Sequence, residues 1–364
     1  MILETTASVN AMQPPTFVQG FHDAEAVARM TYHPLGDTGL QLSRFSLGGT
    51  PFGGQYGEAR EQACIDTIHL ALKSGVNYID TSPWYGNGRS EEVLGKALKD
   101  VPRSSFYIGT KVGRYEPVPE RMFDFSAKRV AQSVDRSLQL LGLDYVDLIQ
   151  VHDFEFAENL DIIVEETLPA LQKVVDSGKA RFIGITSYSV SLLKELVERS
   201  PVKISAILSY ARNTLIDDTL EGFMPFFKSR NIGVICASPV AMRLLTYKPV
   251  LPEWHPAPQY MRDASHSAAL CCKEAGVDLA RLAVQHALRL EGVTTHLQGN
   301  DNCDILRQNL NNFLTPPTSR EEELRKAVKE RFFDPLPAKH WEGVDPAKHW
   351  ETMRQLRAQS AGAK

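Results

Sequence analysis

The sequence predicts an α/β fold, a single-domain (β/α)8 TIM barrel, on three observations. A short apolar or β-branched run followed by a longer helical pattern recurs eight times along the centre of the chain. The strand runs are too apolar to face water on either side, which calls for a parallel sheet covered by helices. No GxGxxG follows the first run, which disfavours the competing doubly wound open sheet.

The eight strand runs are Phe45–Gly49, Asn77–Thr81, Phe106–Lys111, Val146–His152, Phe182–Ser187, Ala206–Tyr210, Gly233–Ser238 and Val293–Gly299. Helical periodicity fills the intervals. Over Ala59–Ser74 the stripe is Ile65, Ile68, Ala71 and Leu72, with Gly75 as the stop. Ser126 is an N-cap candidate, and Val130, Val134, Leu138 and Leu141 recur at helical spacing before Gly142. Further helices are expected over Glu91–Lys99, Asp161–Ser177, Ser191–Glu198, Leu220–Arg230, Ala264–Ala275, Leu279–Leu290 and Asp304–Phe313.

Ahead of the first strand, Leu35-Gly36-Asp37-Thr38-Gly39-Leu40 reads as a turn between two short strands, a hairpin suited to closing the barrel's N-terminal end. Residues 1–30 read as a polar, mobile arm, 31–314 as the barrel and 315–364 as a helical or irregular tail. Two segments break the rhythm. Tyr247–Met261 is rich in proline and aromatics, and in the tail Pro337-Ala338-Lys339-His340-Trp341-Glu342 recurs as Pro346-Ala347-Lys348-His349-Trp350-Glu351. Two copies are too few for a repeat architecture. They read either as a local duplication in a surface tail or as aromatic lids and partner contacts.

Composition narrows the function. The 364 residues are 43% hydrophobic and 23% charged with a net charge of −4, which argues against a nucleic-acid-binding surface but leaves room for a small basic pocket. The five cysteines, Cys64, Cys236, Cys271, Cys272 and Cys303, form no CxxC pair, so neither a disulfide framework nor a metal site is expected. No apolar run approaches a membrane span and the N-terminus lacks a signal pattern, so the expected location is cytoplasmic.

Catalytic groups of such barrels sit at the C-terminal ends of strands. Those ends supply Asp80, Lys111 and His152, and Tyr85 lies in the loop just beyond Asp80. Reducing a carbonyl needs a hydride on carbon and a proton on oxygen. A free phenol, with pKa about 10, exchanges protons poorly near neutrality, and a neighbouring ammonium favours its ionised form. Lys111 can supply that charge, Asp80 can hold Lys111, and His152 can orient the carbonyl oxygen. A lone histidine or lysine at a strand end is ordinarily structural. Four such residues at one barrel mouth are hard to assign to accident.

The stretches Tyr78-Ile79-Asp80-Thr81-Ser82-Pro83-Trp84-Tyr85-Gly86, Ser90-Glu91, Leu94-Gly95, Gly109-Thr110-Lys111, Leu138 to Asp147, Val151-His152 and Phe182-Ile183-Gly184-Ile185-Thr186 resemble the aldo-keto reductase superfamily, in order and spacing, over residues 31–313. The resemblance implies NAD(P) bound in extended form and the tetrad Asp80, Tyr85, Lys111 and His152. It further implies cofactor contacts from Gly49, Thr50, Asp80, Thr186, Ser187, Ser209, Ser238, Pro239, Val240, Ala241, Gly299, Asn302 and Asn309. The implied substrate contacts are Phe52, Trp84, Tyr85, His152 and Trp254.

Within that superfamily, Leu47-Gly48-Gly49-Thr50-Pro51-Phe52-Gly53, Ile207-Leu208-Ser209-Tyr210, Ala237-Ser238-Pro239-Val240-Ala241-Met242 and Pro252-Glu253-Trp254-His255-Pro256-Ala257 resemble members of the L-galactose dehydrogenase type. These oxidise the anomeric carbon of an aldose to a lactone with NAD. The sequence departs from the superfamily at Ala237, where an aromatic often stacks on nicotinamide, at Ala241-Met242-Arg243 in place of a glycine-rich loop, and at Thr186-Ser187 in place of Ser-Asn.

Gly299 and Ile305 stand where NADP-preferring members often carry Lys and Arg, while Asp301 and Asp304 would repel an added phosphate. The expected cofactor is NAD, with NADP as the alternative. The expected substrate is a small sugar or carbonyl compound. The other readings are an NADPH-dependent reductase of aldehydes and ketones and, in a different class, an interaction protein like the relatives that serve as ion-channel subunits.

Overall fold

The computed structural model of the chain describes residues 13–247 and 251–362. An antiparallel hairpin comes first, β1 (Tyr32–Pro34) and β2 (Gln41–Ser43). Eight parallel strands follow: β3 (Phe45–Gly48), β4 (Tyr78–Asp80), β5 (Tyr107–Val112), β6 (Val146–Val151), β7 (Ala180–Ser187), β8 (Ala206–Tyr210), β9 (Gly233–Ala237) and β10 (Thr295–Gly299). They form a closed barrel in chain order, sealed where β10 runs beside β3 from His296 opposite Phe45 to Gly299 opposite Gly48. This is the (β/α)8 barrel that the repeated strand–helix rhythm predicts.

Period-two alternation divides each strand between two cores. Ile79, Ile108, Ile149, Ile185, Ile207 and Val234 point outward into the layer between sheet and helices. There they meet Ile68, Ala71 and Leu72 of the helix Glu61–Lys73 and Val130, Val134 and Leu138 of the helix Ala127–Leu141. The latter helix begins as expected, with Ser126 Oγ accepting from the Arg129 amide, and ends at Gly142 with φ +65°.

Inside the barrel Tyr78, Tyr107, Leu148, Leu208, Ile235 and Leu297 cluster with Leu35, Leu40 and Leu42 of the hairpin. The hairpin therefore plugs the N-terminal end. Gly36 is required there, because its φ is +54° and a Cβ would lie 2.2 Å from the Asn231 carbonyl oxygen just before β9.

Three segments depart from expectation. Residues 13–30, the described part of the expected arm, pack on the barrel: Ala24–Arg29 is a short helix capped by Asp23, Val27 and Met30 are buried, and Thr16 accepts from Asn77 at 2.9 Å. The helix expected from Ala264 begins at Gln259. The exposed Tyr260 and the proline-rich run before it hide its first turn, which Pro258 starts without losing a needed backbone donor.

The two identical tail hexapeptides take different conformations. The first is irregular and seats Trp341, 7% exposed, in a second apolar cluster with Phe333, Met261 and Leu245. The second lies within the helix Val344–Gly362, whose His349 packs edge-on to Phe123 and Phe156. Surroundings, not propensity, decide between them.

Candidate active site

The alternation that sends Ile79, Ile108 and Ile149 outward sends Asp80, Lys111 and Gln150 inward, at the C-terminal ends of three adjacent strands. His152 follows one residue beyond β6, on the same inner face, its amide donating to the Val112 carbonyl at 2.8 Å. Tyr85 comes from the turn after β4, its own amide bonded to the Ser82 carbonyl at 3.1 Å. The four residues expected to act together are thus brought to one mouth.

Their polar atoms are almost fully paired. Lys111 is 2% exposed and spends its donors on Asp80 Oδ1, on the Thr81 carbonyl at 2.9 Å and on the Tyr85 hydroxyl at 3.2 Å. Asp80, equally buried, also accepts from Gln150 Nε2 at 2.7 Å and the Tyr78 hydroxyl at 3.0 Å. A buried ion pair is tolerable only when desolvation is offset this completely. Burial opposes the charge on Lys111, but Asp80 and the Tyr85 oxygen outweigh it and hold the ammonium above its ordinary range.

His152 lies edge-on to the Tyr85 ring, centroids 5.9 Å apart. Its Nδ1 is 3.0 Å from Ser82 Oγ and its Nε2 is 3.5 Å from Asp153 Oδ2. Burial drives its pKa down to about 3, against the pull of Asp153, so the ring is neutral at physiological pH.

Around this centre lies a rim of polar and aromatic side chains. Arg114 bonds Asp153 at 2.6 Å and sits over the Trp84 ring at 4.1 Å. Glu155 accepts from the Tyr188 amide at 2.9 Å, while burial and the Asp153 carboxylate push it up to about 8. Gln150, Ser82, Arg114, Asp153 and Glu155 all escape the sequence reading. Only Gln150 carries a usable signal, a polar residue inside an otherwise apolar strand.

The residues expected to hold a dinucleotide ring the mouth. Gly49 donates to the Asp80 carbonyl at 2.8 Å, and a Cβ there would meet Ser90 Oγ at 2.7 Å, so the loop leading to Thr50 lies tight against β4. Thr186 and Ser187 close β7, and Ser209 lies near the end of β8 with a buried Oγ that has no partner among the described residues. The Nε2 of Gln298, in β10, is likewise unpaired.

Ser238 (φ +62°) accepts from the Met242 amide at 2.7 Å, and beyond Pro239 and Val240 the residues Ala241, Met242 and Arg243 all have positive φ. The glycine-like path of this loop survives without glycine. Gly299 is exposed, Asn302 caps the helix Cys303–Leu314, and Asn309 donates to Asn300 Oδ1 at 2.7 Å. Free polar atoms and an exposed helix start after β10 suit a phosphate-bearing dinucleotide.

Of the expected substrate contacts, Trp84 lies on the rim under Arg114. Trp254 is 49% exposed, tilted against Tyr56 with centroids 5.7 Å apart. Phe52 does not join them: it is 1% exposed and belongs to the core between sheet and helices. Its place in a short 3-10 helix turns it inward, an orientation the motif alone does not reveal.

The aldo/keto reductase family model matches residues 44–328. L-Galactose dehydrogenase of Arabidopsis thaliana is 42% identical over 287 residues, 78% of this chain and 88% of the relative. D-Arabinose 1-dehydrogenase of Saccharomyces cerevisiae is 31% identical over 316 residues, 80% and 92% of the two chains. Among solved structures, an aldo-keto reductase from Bacillus halodurans in its holo form superposes with a TM-score of 0.68 at 28% identity, covering 82% of this chain and 96% of that one. With a matching family model, a matching fold and a long relative at 42% identity, the chain belongs to the aldo/keto reductase family and is an NAD(P)-dependent oxidoreductase.

Proposed function

We propose that this protein oxidises an aldose such as L-galactose at its anomeric carbon, giving the lactone, with NAD as the oxidant. The observation that carries the chemistry is the Asp80–Lys111–Tyr85 relay: a buried ammonium held 3.2 Å from a hydroxyl at the mouth. A bound nicotinamide supplies the hydride acceptor. In its ionised form, with the oxygen held by the Lys111 ammonium, Tyr85 takes the proton of the anomeric hydroxyl as hydride leaves the anomeric carbon, and becomes the neutral phenol. Asp80 keeps Lys111 charged and fixed, with Gln150 and Tyr78 fixing Asp80 in turn. Neutral His152 holds the reacting oxygen by a hydrogen bond. In the reverse direction Tyr85 returns the proton.

The sugar reading is supported by the identity to L-galactose dehydrogenase and by a rim that combines the Asp153 carboxylate, the neutral Glu155 carboxyl and the Trp84 ring, which suits hydroxyl groups and a sugar's C–H face. Residues for the dinucleotide are Thr186, Ser187, Ser209, the Ser238–Ala241 loop, Gly299, Asn302 and Asn309. The NAD reading rests on the first turn after β10. Ile305 is apolar and 39% exposed, and Asp301 and Asp304 put negative charge beside it. A steady-state screen of aldoses with NAD and NADP, against aldehydes and ketones with NADH and NADPH, tests the proposal. Turnover of an aldose with NAD is the expected result, and activity confined to carbonyl reduction overturns it.

A further inference from the structure

His152 is neutral, so one of its ring nitrogens carries a proton and the other a lone pair, and neighbours decide which. Ser82 Oγ lies 3.0 Å from Nδ1 and already accepts the Trp84 amide at 3.2 Å. Among the described residues these are its two hydrogen-bond neighbours, so Nδ1 is the acceptor available for the hydroxyl proton. On the other side of the ring, Nε2 faces Asp153 Oδ2 at 3.5 Å. A bare lone pair there would oppose a carboxylate, whereas an N–H is attracted to it.

Asp153 is held in that place deliberately. Its φ is +48°, a conformation that costs energy for a residue other than glycine, and its amide is bonded to the Thr186 carbonyl at 3.1 Å. Its carboxylate is tied at 2.6 Å to Arg114, whose guanidinium lies among the rings of Trp84, Phe123 and Phe156 at 4.1, 5.3 and 5.6 Å.

We infer that Ser82 and Asp153, the latter anchored by Arg114, are positioning residues that fix His152 with its proton on Nε2, so that this N–H is the donor offered to the reacting oxygen beside Tyr85. The inference rests on the reading of this mouth as the reaction site. Ser82 donates to Nδ1 from one side, and the Asp153 carboxylate, 3.5 Å from Nε2 and without a hydrogen bond to it, favours the proton on that nitrogen while leaving the N–H free to donate to the substrate. Lys111 and Arg114 are the cations that face the ring, and both disfavour a second proton on it.

The test uses the full chain labelled with nitrogen-15 histidine, at neutral pH, with His152→Gln identifying the His152 resonances. The expected spectrum shows a pyrrole-type Nε2 and a pyridine-type Nδ1. In Ser82→Ala the two tautomers mix and kcat/KM falls about tenfold, well short of the loss from a fully reversed tautomer. Ser82→Thr restores both readouts. A protonated Nδ1 in the wild type overturns the inference, as does a Ser82→Ala protein with unchanged ring resonances and unchanged kcat/KM. The expected tautomer combined with wild-type turnover in His152→Gln upholds the positioning and strikes instead at the proposed reaction.

Discussion

Lys111 donates to the Tyr85 hydroxyl at 3.2 Å across a mouth in which its carboxylate partner, Asp80, is as buried as the lysine itself. The relation separates two roles that a motif match leaves fused. Tyr85 is half-buried and reaches the mouth, while Lys111 acts on it from beneath, with no donor left for a substrate.

Tyr85→Phe removes the exchangeable proton and little else. Turnover is expected to drop at least tenfold, about 1.4 kcal/mol of barrier, within a general acid–base contribution of roughly two to four orders of magnitude. Cofactor affinity, followed by quenching of tryptophan fluorescence, is expected to stay near wild type. A variant that keeps more than about a tenth of the rate removes Tyr85 from the proton transfer.

Lys111→Met leaves the buried Asp80 carboxyl without its cation, so stability is expected to fall by about 3–5 kcal/mol along with activity. Lys111→Met combined with Asp80→Asn removes both charges and is expected to recover much of that stability but none of the activity. Denaturant midpoints together with turnover distinguish the two losses. Equal destabilisation in the single and double variants would show that the pair's charge is not what the fold depends on.

The fold and the tetrad are legible in the sequence because both rest on local regularities. Strands buried on both faces spell themselves out as apolar runs, and polar residues at their ends, such as Asp80 and Lys111, break the pattern visibly. Asp153 and Arg114 leave no such trace, since their meaning comes from a positive φ and from rings on separate loops. Phe52 shows the converse: the motif around it is recognisable, but a single turn of 3-10 helix decides that the ring faces the core.

Acid should destabilise this protein through buried neutral histidines. Burial lowers both His152 and His296 to about 3 from a reference of 6.5. A depressed folded pKa means that only the unfolded chain takes up the proton in this window. Stability is therefore full above about pH 6.5 and is lost as pH falls toward 3, by up to about 1.4 kcal/mol per unit for each histidine. His296 has no hydrogen-bond partner on either ring nitrogen among the described residues, so it is the cleaner test. His296→Leu is expected to match or exceed wild-type stability at pH 7.5 and to lose less on going to pH 5. Parallel losses in the two proteins would mean that His296 is not the group responsible.

Cofactor choice turns on charges absent near β10. Preferring NADP requires offsetting the desolvation of a dianionic phosphate, and charge-assisted bonds from Arg or Lys contribute roughly 1.5–3 kcal/mol each. Here Ile305 is exposed and apolar, and its amide already donates to the Asn302 side chain that caps the helix. Arg307, the nearest cation along the helix, is paired with Asp304 at 3.1 Å, and both side chains are well exposed. Such a surface pair is weak and would not by itself hold Arg307 back, so the acidic balance of Asp301 and Asp304 has to carry the preference. Catalytic efficiency with NAD is expected to exceed that with NADP. Ile305→Arg is expected to narrow the gap by lowering the Michaelis constant for NADP, with little change in turnover once cofactor is saturating. The comparison is made at fixed ionic strength, because salt screens exposed charges. A wild-type preference for NADP of about tenfold, or 1.4 kcal/mol, would mean that Arg307 leaves Asp304 for the phosphate, and Arg307→Ala would then abolish that preference.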